Sequence, residues 1–206
     1  METYHSHWTN SDVFIPMAHP ETPDSALAAA ISLTAEVCGK ALSPAAAGML
    51  ADDLGDFNES VVMDALARCR LELQGPLKMS DILARIADGR PDIDEAWAMM
   101  PQNEYASVVW TDEMAQAWGA VLPLLDAGDV GGARTAFRET YAKAVLEARI
   151  RREPAHWTPS LGSDVAGRER ALLDALRKRR LSFSHVKQLL PFGTVTIGNE
   201  EMIGQR

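Results

Sequence analysis

Apolar positions in this chain recur at intervals of three and four residues along most of its length, the spacing of one face of an α-helix. Leu27, Ile31 and Cys38 keep that spacing from Ser25 to about Gly39, where glycine supplies a stop. Ser43-Pro44 opens a second helix, because serine caps free amides and proline in a first turn forfeits no hydrogen bond. Ala46, Leu50 and Leu54 are its expected inward face, and Gly55 ends it. Asn58 caps a third helix with Val61, Val62, Ala65, Leu66, Cys69 and Leu73 in one stripe, stopped by Gly75-Pro76. A shorter helix opening at Lys78 or Ser80 carries Ile82, Leu83 and Ile86 and closes at Gly89 and Pro91. Asp92 and Glu95 fit a capping box ahead of a short helix that ends by Pro101.

The most regular stretch follows. Met114, Trp118, Val121, Leu122 and Leu125 line one helix, Ala127-Gly128-Asp129 makes a turn, and Val130, Ala133, Phe137, Tyr141, Ala144 and Ala148 line the next. So short a turn requires the two helices to lie antiparallel. Trp97, Trp110 and Trp118 fall among these periodic positions and are expected in the core, with Trp110 alternatively stapling the helix entry. The pattern breaks at Pro154 and Pro159, with Trp157 between them. A helix from about Asp164 to Arg180 carries Leu172, Leu173 and Leu176, and a last short one from Ser184 stops at Pro191. The expected fold class is all-α, a multi-helix bundle of about eight helices with a central antiparallel helical hairpin and flexible termini. Its expected parts are an extended N-terminal arm at 1–24, a helical module at 25–90 and the hairpin at 91–152. Basic C-terminal helices at 153–192 and a flexible tail (or isolated strand) at 193–206 complete it.

Composition supports this reading. Of 206 residues 47% are hydrophobic but only 6% aromatic, and alanine and leucine outweigh the β-branched residues that strands favour. No apolar run approaches the roughly 18–20 residues that span a bilayer. The start, METYHSHWTNSDVF, has neither the basic nor the apolar segment of a signal peptide. Cys38 and Cys69 are too few for a disulfide framework, so both are expected reduced and the protein cytoplasmic. The net charge of −9 is unevenly spread. Residues 1–150 carry 23 acidic against 10 basic side chains, a balance of −13, and residues 151–206 carry 6 against 10, a balance of +4. An acidic body repels phosphate, so nucleic-acid contact is confined to the C-terminal quarter; the alternative is that the acid serves solubility alone.

Catalytic signatures are missing: there is no phosphate-binding G-x-x-x-x-G-K-[ST], no G-x-G-x-x-G and no G-x-S-x-G. No catalytic residue, cofactor or resident metal is therefore expected. His5 and His7, with His19, are the nearest approach to a metal site, but a mobile pair lacks the supporting shell such sites need. Asp52, Asp53 and Asp56 read as a solvated helix face, and Asp112 and Glu113 as helix-start acids behind the Thr111 cap. The candidate binding residues are Arg168, Arg170, Arg177, Lys178, Arg179, Arg180 and Lys187, a basic face opposite the leucines that suits phosphate or an acidic partner. The competing reading is an ordinary exposed helix whose C-terminal cations answer its dipole. Trp157 is either an anchor of the linker on the helical body or an exposed contact residue.

The cassette from Leu42 to Ile86 resembles the small helical domain of phage helicase loaders and inhibitors of the non-ATPase type. The resemblance rests on Gly55-Asp56-Phe57, the V-x-x-A-L pattern of Val62 to Leu66, the Gly75-Pro76 break and the helix from Ile82 to Ile86. More widely, Glu95 to Ala98, Ser107 to Met114 and Trp157 to Glu169 are similar to segments of uncharacterised proteobacterial prophage proteins. The resemblance implies a cytoplasmic replication accessory or adaptor that binds a hexameric replicative helicase by protein–protein contact, with DNA contact through the basic C-terminal helix. Two alternatives stand beside it. One is an acidic inhibitor of a host or defence complex that mimics nucleic acid. The other is a DNA-binding regulator that uses residues 164–190.

Overall fold

The computed structural model describes residues 25–190. The arm expected at 1–24, the tail expected at 193–206 and the histidines His5, His7 and His19 lie outside the described residues. The chain is mostly helical, as expected, with nine helices and one small sheet among the described residues.

Seven of the nine described helices begin where a side chain satisfies a free amide. Ser25, Ser43, Asn58, Asp92, Thr111, Asp129 and Ser182 each accept from a backbone N–H two or three residues on. The first four helices, α1 (Ala26–Val37), α2 (Pro44–Asp53), α3 (Glu59–Glu72) and α4 (Met79–Ala84), enclose Ile31, Leu54, Val62, Leu66 and Ile82. A second core forms where α5 (Ile93–Ala98) and the antiparallel pair α6 (Asp112–Asp126) and α7 (Val130–Ile150) bury Met114, Val121, Phe137 and Tyr141. The 21 residues of α7 serve both cores, because Val145 packs into the second and Leu146 against the first. A third core places Leu172 and Ala175 of α8 (Val165–Arg177), Leu181, and Val186 of α9 (Phe183–Leu189) against Val109.

Val109 belongs to a two-stranded antiparallel sheet that the helical reading omits. β1 (Val108–Thr111) pairs with β2 (Trp157–Ser160), Val109 opposite Pro159 and Thr111 opposite Trp157. Four residues are too few to show an alternating pattern, although Val108-Val109-Trp110 is the type of run strands favour. Pro159, read as a break, is tolerated because a two-stranded ribbon has only edge strands.

Some inward faces are rotated from expectation. Ala47 and Ala51 of α2 are buried, while Ala46 and Leu50 are half-buried. On α6 the small Ala117 is buried and Leu122 is exposed. Val130 is exposed as well, and Trp97, Trp110 and Trp118 are only half-buried. Small residues lie inside because they let neighbouring backbones approach, which displaces larger side chains to the flanks.

The first and second cores are joined by buried charge. Asp88, in the loop after α4, accepts from Arg149 Nε and Nη2 at 3.0 Å each and also from Arg90. Arg90, its side chain 1% exposed, donates from Nε to Glu113 at 2.9 Å and from Nη2 to the carbonyls of Glu153 and Pro154. Arg149 Nη1 donates to the carbonyls of Leu83 and Ala84 at 2.9 and 3.1 Å, capping the C-terminal end of α4. The Tyr141 hydroxyl donates to the Pro91 carbonyl at 2.8 Å, and burial pushes this phenol well above its ordinary range. Burial also works to raise the carboxyls of Asp88 and Glu113, but the arginines more than offset it. Arg149, then Arg90, holds Asp88 below its usual range; Arg90, helped by Thr111, does so for Glu113.

Two results follow for solution stability. Asp88→Asn leaves two buried guanidinium groups without their shared anion and is expected to cost about 3–5 kcal/mol in chemical denaturation. Because the folded-state carboxyls titrate low, their contribution is complete above the unfolded carboxylate value of about 4 and is lost as pH falls through the lower folded values. Wild-type stability should therefore decline below about pH 4, and the decline should be shallower in the Asp88→Asn variant.

Candidate partner-binding surfaces

The basic C-terminal helices are placed by the sheet. Gly162, just past β2, donates to Ser107 Oγ at 3.0 Å, and a Cβ there would run into the Tyr105 carbonyl. Asp164 N–H donates to that same carbonyl at 3.1 Å, so the entry to α8 is tied to the loop ahead of β1. Leu172 and Ala175 then settle over Val109.

This arrangement divides the seven basic candidates. Arg180 is structural: its guanidinium lies 4.2 Å from the centroid of the Trp157 ring and Nη2 pairs with Glu95 at 2.7 Å. With its side chain 11% exposed, it pins the third core to α5 across the half-buried Trp157, which acts as an anchor. Arg168 donates to the Gly162 carbonyl at 2.7 Å and closes its own loop. Arg177 and Lys178 share Asp174 at 3.3 and 3.1 Å. Arg170 reaches only the Ala166 carbonyl of its own helix, and Arg179 and Lys187 are exposed without an ion pair among the described residues. Seven residues apart, Arg170 and Arg177 share the outer face of α8, about two turns distant from each other. What projects outward is therefore Arg170, Arg177, Lys178, Arg179 and Lys187, without Arg168, Arg180 or Trp157.

Arg179 has a second task. It follows the end of α8 with φ of 56°, its N–H donates to Leu176 and the next N–H, of Arg180, donates to Ala175. This is the left-handed cap that glycine normally fills, as Gly39 does after α1. Arg152 repeats the device at the end of α7 with φ of 60° and also pairs with Asp56.

Helix α1, which precedes the Leu42–Ile86 cassette, offers a surface of another kind. At 100° per residue, Ala26, Ala30, Leu33 and Val37 fall along one side of α1, away from the face that buries Ala28, Ile31 and Ala35. Leu33 is 64% exposed and Val37 65%. Arg70 Nη1 donates to the buried Thr34 Oγ1 at 2.7 Å, tying α1 to the side of α3 that carries the exposed Met63. The expected inward set of α1, Leu27, Ile31 and Cys38, left this second stripe unread. Its signal is apolar residues at spacings of four, three and four on a side that the core uses only through the half-buried Ala30.

Burial raises the Cys69 thiol above its ordinary range, and both cysteines are free. Among the described residues no group of three or more His, Cys, Asp or Glu side chains is placed to hold a metal ion. No described helix is long and apolar enough to cross a membrane. No protein-family model, curated protein or solved structure matches the chain.

The division of the arginines is measurable by thermal unfolding. Arg180→Ala should cost about 1–3 kcal/mol through the lost ion pair and ring contact. Arg177→Ala, on the open face, should stay within about 0.5 kcal/mol of wild type. Arg179→Gly should stabilise by up to about 1 kcal/mol by relieving the left-handed backbone.

Proposed function

We propose that this protein is a replication accessory of the adaptor type that binds a hexameric replicative helicase by protein–protein contact. The observation that carries the reading is the apolar flank of α1, where Leu33 and Val37 stand largely in solvent one turn apart. Single exposed leucines are ordinary, but a stripe at alternating intervals of four and three residues matches the seam along which helices pack on one another. The occupant is therefore an α-helix of the partner, laid against α1 beside Met63 of α3. The helicase is the partner that the loader-like pattern of Leu42 to Ile86 supports. The acidic body, −13 over residues 1–150, keeps duplex DNA from that flank.

A second reading, a DNA-binding regulator acting through residues 164–190, draws on one feature. Arg170 and Arg177 share the outer face of α8, with Arg179 and Lys187 exposed beyond it. It predicts duplex affinity that falls steeply with salt and drops when Arg170 and Arg177 are both replaced by alanine.

The adaptor reading is tested with the full chain and a purified bacterial replicative helicase hexamer in a sedimentation or light-scattering titration. A complex is expected at micromolar concentration, about −8 kcal/mol. Leu33→Lys with Val37→Lys should weaken it at least tenfold while leaving the unfolding midpoint unchanged, since both sites are solvent-facing. No complex, or a complex indifferent to the double substitution, overturns the reading.

A further inference from the structure

A groove of about 610 Å³ opens beside the turn between α6 and α7, lined by residues of neither the α1 flank nor the basic helices. Its aromatic floor is the outer end of a ladder of rings. Phe137 and Tyr141, both buried, stack with centroids 5.7 Å apart, and Trp97 meets Phe137 edge-on at 5.3 Å. Trp118 stands 6.2 Å from Trp97, tilted by 60°, and these two half-buried indoles line the groove. Leu122 and Val130, 42% and 59% exposed, form an apolar wall from the two helices of the hairpin.

The position of these residues has a physical cause. Ala117 and Val121 fill the α6–α7 contact, and Ala133 meets them from α7. Trp118 and Leu122 lie on the neighbouring flank, apolar yet outside that contact. At the opposite lip, Pro101 ends the stretch after α5 and Glu104 follows. Asp126, the last residue of α6, supplies a second carboxylate, and among the described residues no Lys, Arg or His lines the groove.

The geometry points to a docking site for a short segment of a partner protein that carries a large apolar side chain next to lysine or arginine. The indoles and Leu122 take the apolar anchor. The faces of tryptophan attract a cation, and Glu104 and Asp126 at the lip reinforce that sign while repelling an acidic segment. Two aromatic rings partly open to solvent are the kind of anchor pocket that dominates binding energy when covered. The site goes beyond the adaptor reading and does not depend on it: α1 offers an apolar flank to a helix, whereas this groove selects for positive charge.

The test is selection of a random peptide library against the full-length chain, followed by affinity measurement for the enriched sequences. Enriched peptides should combine Leu, Ile, Met or Phe with Lys or Arg. Replacing those cations by glutamate should cost at least tenfold in affinity. Leu122→Lys with Val130→Lys should abolish binding, and Glu104→Gln with Asp126→Asn should weaken it several-fold. All four positions are exposed, and an unchanged circular-dichroism melt of each variant verifies the fold. Absence of enrichment, enrichment of acidic sequences, or binding untouched by both double variants overturns the proposal. A concentration-dependent dimer of the chain that Leu122→Lys dissolves would also overturn it, by making a second copy the occupant.

Discussion

One aspartate between two arginines organises this molecule. Asp88 follows α4, Arg90 lies two residues on, and Arg149 comes from the end of α7, more than sixty positions away. Through Arg90 the network reaches Glu113 in the first turn of α6 and the carbonyls of Glu153 and Pro154, which lead into β2. A buried ion pair gives little net stability against an apolar replacement, because desolvating the charges costs about as much as their attraction returns. Its effect is on geometry. Each guanidinium has donors in a fixed fork, so the partners can sit in few places without leaving a buried charge unmet. The first core, the α6–α7 hairpin and the lead into the sheet are thereby held in one register. Apolar packing alone, tolerant of small slides, would define that register less sharply.

The same side-chain chemistry recurs at the far end of the chain. Arg180 bridges Glu95 and the Trp157 ring and so fastens α8 and α9 to α5. Arg152 and Arg179 close helices in the left-handed conformation, where the chain accepts a backbone cost of about 1–2 kcal/mol to turn sharply. Four arginines, Arg90, Arg149, Arg168 and Arg180, thus have their charge directed inward at carboxylates or carbonyls. A positive balance along the sequence is for this reason a poor measure of positive surface. The outward field of residues 165–190 belongs to fewer side chains than its composition indicates, and Asp174 offsets two of them.

Apolar surface supplies the complementary lesson about function. The α1 flank and the groove between Trp97, Trp118 and Leu122 arise from one cause: each helix carries more apolar residues than its own core contact uses. On α1 the surplus is Leu33 and Val37, and near the α6–α7 turn it shares a groove with two carboxylates, Glu104 and Asp126. The contacts with other proteins proposed above rest on these two surfaces.

Read alone, the sequence determined the helices. Ser25, Ser43, Asn58, Asp92, Thr111 and Asp129 mark their starts, and Gly39 and Gly128 mark stops, because capping and the helical hydrogen bond act within four residues. The α6–α7 hairpin was legible for the same reason, its turn being too short for any other arrangement. Of the candidate site, the sequence identified the basic residues but not which of them face outward. That division was decided by tertiary structure, since Arg180 meets Glu95 across 85 positions and Arg149 meets Asp88 across 61. The sheet, the rotated face of α6 and the half-covered indoles were likewise settled only by folding. Strand pairing and the choice between two apolar flanks depend on what a distant segment brings alongside, and no local spacing encodes that neighbour.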